Sequence, residues 1–292
     1  MKKFAIKILF FTLYFLLFSV IINSAFLAVI VYTDWDYIKR RETLNFTDPD
    51  YKMLVFGSSL AEYGVDAELL TKNGIKAFNF SMVGSSVKTC WVQMNEYLTL
   101  YEKKPEYVLL AVNSCLERFD QDGIQPVVEF TMQDHKYTLK DVPLSKFRWA
   151  GTEILKKVLK LHYSNLYVAH GQKRSFTVSP DYSQYTDKYL DIKKFESSIW
   201  MEEMARACSE HKIKFIIIDM PGVRETQNKS EVGPYILHFS KNDTAVLFNF
   251  NNQEFCKFIK GDKEWSGLSH FNSFGAAQFT RELIKAIENQ QQ

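Results

Sequence analysis

Cysteine is scarce in this sequence, and what there is does not suit metal binding. Four cysteines stand among 292 residues (Cys90, Cys115, Cys208, Cys256), with no CxxC pair and no histidine at zinc-finger spacing. That absence excludes a structural zinc site of the finger type. Nothing in their order selects a disulfide pairing, and the simplest reading is free, buried thiols. An excess of charge of one sign is also missing. The 36 basic and 34 acidic residues leave a formal charge of +2 and form no basic stripe, which excludes nucleic acid as a partner. No GxGxxG or GxxxxGK[ST] follows any predicted strand, so a nucleotide cradled on a glycine-rich loop is excluded as well. Internal repeats are absent, and the one biased tract is Gln290 to Gln292.

What is present begins with a long apolar run. Met1-Lys2-Lys3 precedes a stretch from about Ile8 to Thr33, enough helix to span ~30 Å of hydrocarbon. A cleaved signal peptide has a shorter apolar region followed by a small-x-small site. Here the run continues past Ser24-Ala25 into Phe26-Leu27-Ala28-Val29-Ile30-Val31, as an uncleaved signal anchor does. Tyr32 and Trp35 fall where interfacial aromatics belong. Basic residues are nearly balanced across the run, with Lys2, Lys3 and Lys7 before it and Lys39, Arg40 and Arg41 after it. A short N-terminal tail and a large following domain point to a single-pass protein of the cytoplasmic membrane with its soluble domain outside. The expected organisation is an anchor over 1–33, a juxtamembrane linker over 34–50 and one domain over 51–292. Within the linker, Lys39-Arg40-Arg41 reads as a solvated collar at the lipid headgroups.

From Tyr51 onward, short uninterrupted apolar runs recur at Met53 to Phe56, Ala77 to Phe80, Tyr107 to Val112, Phe215 to Ile218 and Ala245 to Phe248. Such runs suit parallel strands covered on both faces. Helical spacing occupies Asp66 to Lys72, Val87 to Tyr101, Lys193 to His211 and Gly275 to Glu288. Strands alternating with helices predict an α/β fold, a three-layer α/β/α sandwich around a mostly parallel five-stranded sheet of flavodoxin-like type, preceded by one transmembrane helix. Residues from about 120 to 189 break the alternation and read as an insertion, either a lid or partner surface or a helical elaboration of the core.

The carboxyl ends of strands form the ligand crevice of an open α/β sheet. Gly57-Ser58-Ser59 ends the first strand there, which makes Ser59 a candidate nucleophile and its N–H a candidate oxyanion donor; the alternative is an ordinary turn with a capping serine. Gly84 follows the second strand and Asn113 the third, so a glycine N–H and a side-chain amide reach the same edge; the alternatives are a turn glycine and a strand-end cap. His270, after the fifth strand and before the last helix, is placed to act as general base on Ser59. The remaining histidines, His135, His162, His170, His211 and His238, read as surface residues. No cofactor or metal is called for.

These four blocks, in this order, resemble those of the SGNH/GDSL hydrolases. Gly57-Ser58-Ser59 is similar to the GDS block, Gly84 to the second-block glycine, Ala111-Val112-Asn113-Ser114 to the GxND block, and His270 to the histidine of DxxH. The ending His270-Phe271-Asn272-Ser273-Phe274-Gly275-Ala276 resembles the HxNxxGA of membrane-anchored members akin to the D-alanine transfer protein and the alginate O-acetylation proteins. The resemblance implies a nucleophile at Ser59, a base at His270, and an oxyanion hole from Ser59, Gly84 and Asn113. It further implies acyl-ester chemistry, acetyl in particular, on cell-envelope polysaccharide, sometimes beside a multi-span membrane acyltransferase. Three positions depart from the pattern: Ser58 replaces the aspartate of GDS, Ala111 the glycine of GxND, and Gly267 the acid of DxxH. Without that acid, either Asp262, Glu264 or a backbone carbonyl orients His270, or the chain is a weakly active or inactive member that binds glycan or assembles an acylation complex.

Overall fold

The computed structural model describes residues 2–132, 167–178, 189–221, 229–252, 255, 263–266 and 270–290. In chain order the elements are α1 (Lys2–Thr33), α2 (Trp35–Leu44), β1 (Met53–Gly57), α3 (Ser59–Gly64), α4 (Ala67–Lys72), β2 (Ala77–Asn79), α5 (Val87–Leu100), β3 (Tyr107–Val112), α6 (Pro126–Thr131) and the hairpin β4 (Tyr167–Ala169) and β5 (Gln172–Arg174). They continue with α7 (Ile192–Glu196), α8 (Ile199–Glu210), β6 (Lys214–Asp219), β7 (Tyr235–His238), β8 (Thr244–Asn249) and α9 (Ser273–Asn289).

Six strands form one sheet in the order β2-β1-β3-β6-β8-β7. The first five are parallel, in registers such as Met53 with Ala77 and Tyr107, Tyr107 with Lys214, and Ile216 with Val246. Every residue of β1, β2 and β3 is buried, because side chains alternate between two covered faces. Met53, Val55, Leu109, Ile216 and Ile218 point to a core shared with Phe279, Leu283 and Ile287 of α9. Leu54, Phe56, Val108, Leu110 and Ile217 point the other way, to Met94 and Tyr97 of α5 and Met204 and Cys208 of α8. The five parallel strands stand where the apolar runs place them. The sheet is nevertheless mixed and six-stranded, because Tyr235–His238 adds an antiparallel edge pairing Tyr235 with Leu247. That strand buries only Leu237 fully, so it carries no apolar run to read. The helix expected over Lys193 to His211 is two, α7 and α8, separated where Ser198 accepts the Met201 N–H as an N-cap.

The chain divides into two compact units, Met1–Thr43 with Pro126–Ser164, and Leu44–Gln125 with Asn165–Gln292. In the first, Lys2–Val29 of α1 is 28 residues long with mean hydropathy 2.4, long and apolar enough to cross a membrane. The segment after it is helical, and the collar expected there is only partly one. Arg41 is exposed, but Lys39 and Arg40 are fully buried, and the Arg40 Nε donates to Thr131 Oγ1 at 3.1 Å. Tyr37, Phe26 and Phe130 gather around Val127 in the same unit. Most of the region read as an insertion, including 133–166 and 179–188, lies outside the described residues, as do Cys256, Asp262 and Gly267.

The second unit contains the sheet, and its last helix is tied down at its first turn. Asn272 caps α9 by accepting the N–H groups of Phe274 and Gly275 at 2.9 and 3.1 Å. A Cβ on Gly275 would stand 2.2 Å from the Glu264 carbonyl oxygen and 2.7 Å from the Phe271 ring. Helix propensity alone would make Gly275→Ala stabilising by ~1 kcal/mol. The contact with rigid backbone outweighs that gain, and the variant is expected to lose about 1–3 kcal/mol net. A urea titration of the two proteins checks the sign.

Candidate active site

The strand order puts β1 between β2 and β3, so the chain leaves β1 toward one edge of the sheet and β3 toward the other, and a crevice opens at the carboxyl ends of β1 and β3. Gly57 makes the corner possible. Its backbone runs against β3, where a Cβ would meet the Ala111 carbonyl oxygen at 2.4 Å and the Ala61 methyl at 2.6 Å. Ser58 follows at the N-cap of α3, yet its side chain does not cap the helix. It donates instead to Glu117 Oε1 at 2.6 Å. Ser59 opens α3, and its Oγ lies 2.8 Å from His270 Nε2.

Tyr63, one turn along α3 from Ser59, sets its ring edge-on to the imidazole with centroids 5.3 Å apart. The loop carrying His270 is closed by Ser266 N donating to the His270 carbonyl at 2.9 Å, and by Trp265 packed against Phe271 with ring centroids 4.4 Å apart. Burial holds the His270 pKa below the ordinary 6.5, so the ring is neutral at pH 7 and has a lone pair to take a proton. Of the carboxylates considered for orienting it, Glu264 has Oε2 buried with no hydrogen-bond partner among the described residues.

The other two expected donors are placed differently. Gly84 is exposed in the turn that Ser85 N closes onto the Met82 carbonyl at 3.1 Å, with φ of +75°, and Met82 N joins that turn to the Gly57 carbonyl at 3.3 Å. Glycine is favoured there because a side chain at positive φ is strained. Asn113 is fully buried and works as a clasp. Its Nδ2 donates to the Met220 carbonyl at 2.7 Å, and its Oδ1 accepts the N–H groups of Cys115 and Leu116, each at 3.0 Å. An amide nitrogen carries two hydrogens, and this bond to Met220 takes one of them.

Two acids unremarked in the sequence stand at the same edge. Asp219 ends β6 and accepts both the hydroxyl and the N–H of Ser114, at 2.6 and 2.7 Å. Desolvation pushes its pKa up to about 6 against those bonds. Glu117 accepts the Ser58 hydroxyl and the Asn113 N–H, which ties the turn after β1 to the turn after β3. Desolvation lifts it to about 7; the Ser58 bond and Lys194 oppose the rise, and the Asp219 charge adds to it. Asp219 could have been found by the strand-end reasoning that selects Ser59. Glu117 has no such signal, because only the fold of the turn brings it to Ser58.

A carboxyl whose pKa is raised on folding binds its proton more tightly in the native state. Its stabilising effect is complete below its ordinary value of 4.5 and is lost as pH rises through about 7. From about pH 5 to 8 the native protein should therefore lose on the order of 2 kcal/mol from Glu117, and Glu117→Gln should lack that part of the slope. Thermal midpoints measured across that range for both proteins check it.

Among the described residues no cluster of histidine, cysteine, aspartate and glutamate is arranged to hold a metal ion. A cavity of about 450 Å³ lies at the opposite end of the strands, lined by Tyr107, Lys214 and Thr244, the first residues of β3, β6 and β8. Among its described lining residues no nucleophile is hydrogen-bonded to a base as Ser59 is to His270, so volume alone does not mark the site.

No protein-family model matches this chain, and no curated protein does. A solved structure of a candidate acylhydrolase from Bacteroides fragilis is similar at 13% identity and a TM-score of 0.38, covering 89% of this chain and 99% of that one. The functional assignment therefore stands on the site geometry.

Proposed function

We propose that this chain is a membrane-anchored serine esterase or O-acyltransferase of SGNH/GDSL type, acting on acyl esters, acetyl foremost, of cell-envelope polysaccharide outside the cytoplasmic membrane. The observation that supports it most is the 2.8 Å contact between Ser59 Oγ and His270 Nε2 at the crevice of the sheet. A serine hydroxyl is a weak nucleophile until a neutral base accepts its proton, and this pair meets that requirement.

In the proposed reaction Ser59 Oγ attacks the ester carbonyl as its proton passes to His270 Nε2. The tetrahedral oxyanion is held by the N–H groups of Ser59 and Gly84 and by the second Asn113 amide hydrogen. Collapse breaks the bond to the leaving oxygen, which takes the proton back from His270. The acyl-enzyme is then opened by water, or by a sugar hydroxyl, with His270 again removing the attacking proton and handing it to Ser59 Oγ as the acyl bond breaks. Hydrolysis and transfer use the same residues and differ only in which oxygen reaches the acyl carbon.

A second reading has its own support. The commitment of one Asn113 donor to Met220, together with glycine at position 267, favours a protein that binds glycan or assembles an acylation complex without turnover. The two diverge in one assay. The full chain in detergent should release p-nitrophenol from p-nitrophenyl acetate and acetate from O-acetylated polysaccharide, or move acetyl between sugars. Glycan binding with neither release nor transfer would establish the second reading instead.

A further inference from the structure

Residues 167–178 reach from the helix that carries Ser59 to the loop that carries His270. On the helix side, Lys173 Nζ lies 3.3 Å from Glu62 Oε1; Glu62 is fully buried and the Lys173 side chain is only 10% exposed. Gln172 Nε2 donates to the Tyr63 carbonyl at 3.3 Å, and Arg174 bridges Asp66 and Glu68 at 3.1 and 2.7 Å. The hairpin turn also sits against β2. The Asn79 N–H donates to the His170 carbonyl at 3.0 Å, and a Cβ on Gly171 would stand 2.3 Å from the Asn79 carbonyl oxygen. With φ of +79° as well, that position is restricted to glycine.

On the loop side the same segment completes the start of α9. The Ser273 N–H, a first-turn donor with no partner inside its own helix, is taken by the Ser175 carbonyl at 2.7 Å, which also accepts the Ser273 hydroxyl at 3.0 Å. Asn272 Nδ2 donates to the Thr177 carbonyl at 3.2 Å. Asn272 and Ser273 directly follow Phe271 and His270, so these bonds set where the imidazole stands. Glu62 and Tyr63 lie within one turn of Ser59, so the bonds at the other end set where the hydroxyl stands.

We propose that residues 167–178 are a positioning strap that holds the His270 loop in register with the Ser59 helix, and that Lys173 anchors it through Glu62. The proposal rests on the reading of Ser59 and His270 as nucleophile and base. A nucleophile and base that must meet at hydrogen-bond distance lose roughly 10²-fold in rate for a displacement of about 1 Å. The segment bonds to both chain pieces that must not shift, to Glu62 and Tyr63 on one side and to Asn272 and Ser273 on the other. A carboxylate and an ammonium taken out of water are costly unless each faces the other, so the pair holds only while the strap is seated.

The test uses the full chain with Lys173→Met, Glu62→Gln and Lys173→Arg beside the native protein. Hydrogen exchange is read first, because it needs no activity. In Lys173→Met and in Glu62→Gln, amides over 270–276 should exchange at least about tenfold faster although neither substitution lies in that loop. Unchanged protection there, in either variant that folds, overturns the strap. Turnover on p-nitrophenyl acetate is read second. The kcat of both variants should fall by at least about tenfold with KM within about twofold, and Lys173→Arg should return to within about threefold of the native kcat. A native-like kcat in a folded Lys173→Met or Glu62→Gln, or an Lys173→Arg as slow as Lys173→Met, would overturn it too. A native protein with no turnover at all would count against the esterase reading, while the exchange result would still decide the strap.

Discussion

Replacing Ser59 by alanine is expected to reduce turnover of p-nitrophenyl acetate by about 10⁴-fold or more without unfolding the protein. The magnitude follows from removing the only atom that forms the acyl bond; what remains is the smaller acceleration supplied by the oxyanion donors and binding. Stability should be nearly untouched, because Ser59 is half-exposed and the adjoining turn is held by others, the Gly57 backbone against Ala111 and the Ser58 hydroxyl on Glu117. A matching rate for native and Ser59→Ala protein, with matching thermal midpoints, would remove Ser59 from the mechanism.

His270→Ala carries an effect of similar size, and a pH profile gives it a signature of its own. The substitution should cost about 10³- to 10⁴-fold, and the Ser59→Ala, His270→Ala double variant should be little worse than either alone, because the two act as a unit. In the native enzyme only the neutral imidazole accepts the serine proton. Burial depresses its pKa below 6.5, so the acid limb of kcat/KM should be centred below 6.5, with the rate falling about tenfold per unit beneath that midpoint. The same burial makes stability fall as pH drops below 6.5, since the unfolded chain then binds the proton more readily. An acid limb centred above 6.5 would contradict His270 as the base.

Much of this site could be read in the sequence because it sits where strands end. Five apolar runs are five parallel strands, buried on two faces, and the residues following the first and the last of them, Ser59 and His270, meet at 2.8 Å. The antiparallel edge β7 could not be read, since a half-exposed strand of four residues has too little apolar content to stand out. Nor could the β4–β5 hairpin, whose Gln172-Lys173-Arg174 resembles a solvent loop until Glu62, Asp66 and Glu68 are seen to receive it. Lys39 and Arg40 mislead for the opposite reason: basic residues next to an apolar helix read as a collar, yet both are buried. Gly84 and Asn113 mark the right edge of the sheet. The structure adds that Asn113 spends one donor on Met220 and that Glu117 links the two turns.

The central claim is that Ser59 is an activated nucleophile. The most direct measurement is reaction of the full chain with a fluorophosphonate probe, followed by mass mapping of the modified peptide. One adduct is expected, on Ser59, forming more slowly as pH falls below the His270 pKa and absent from Ser59→Ala. An adduct on Ser58 or Ser114, or equal labelling of the native protein and Ser59→Ala, would contradict the account.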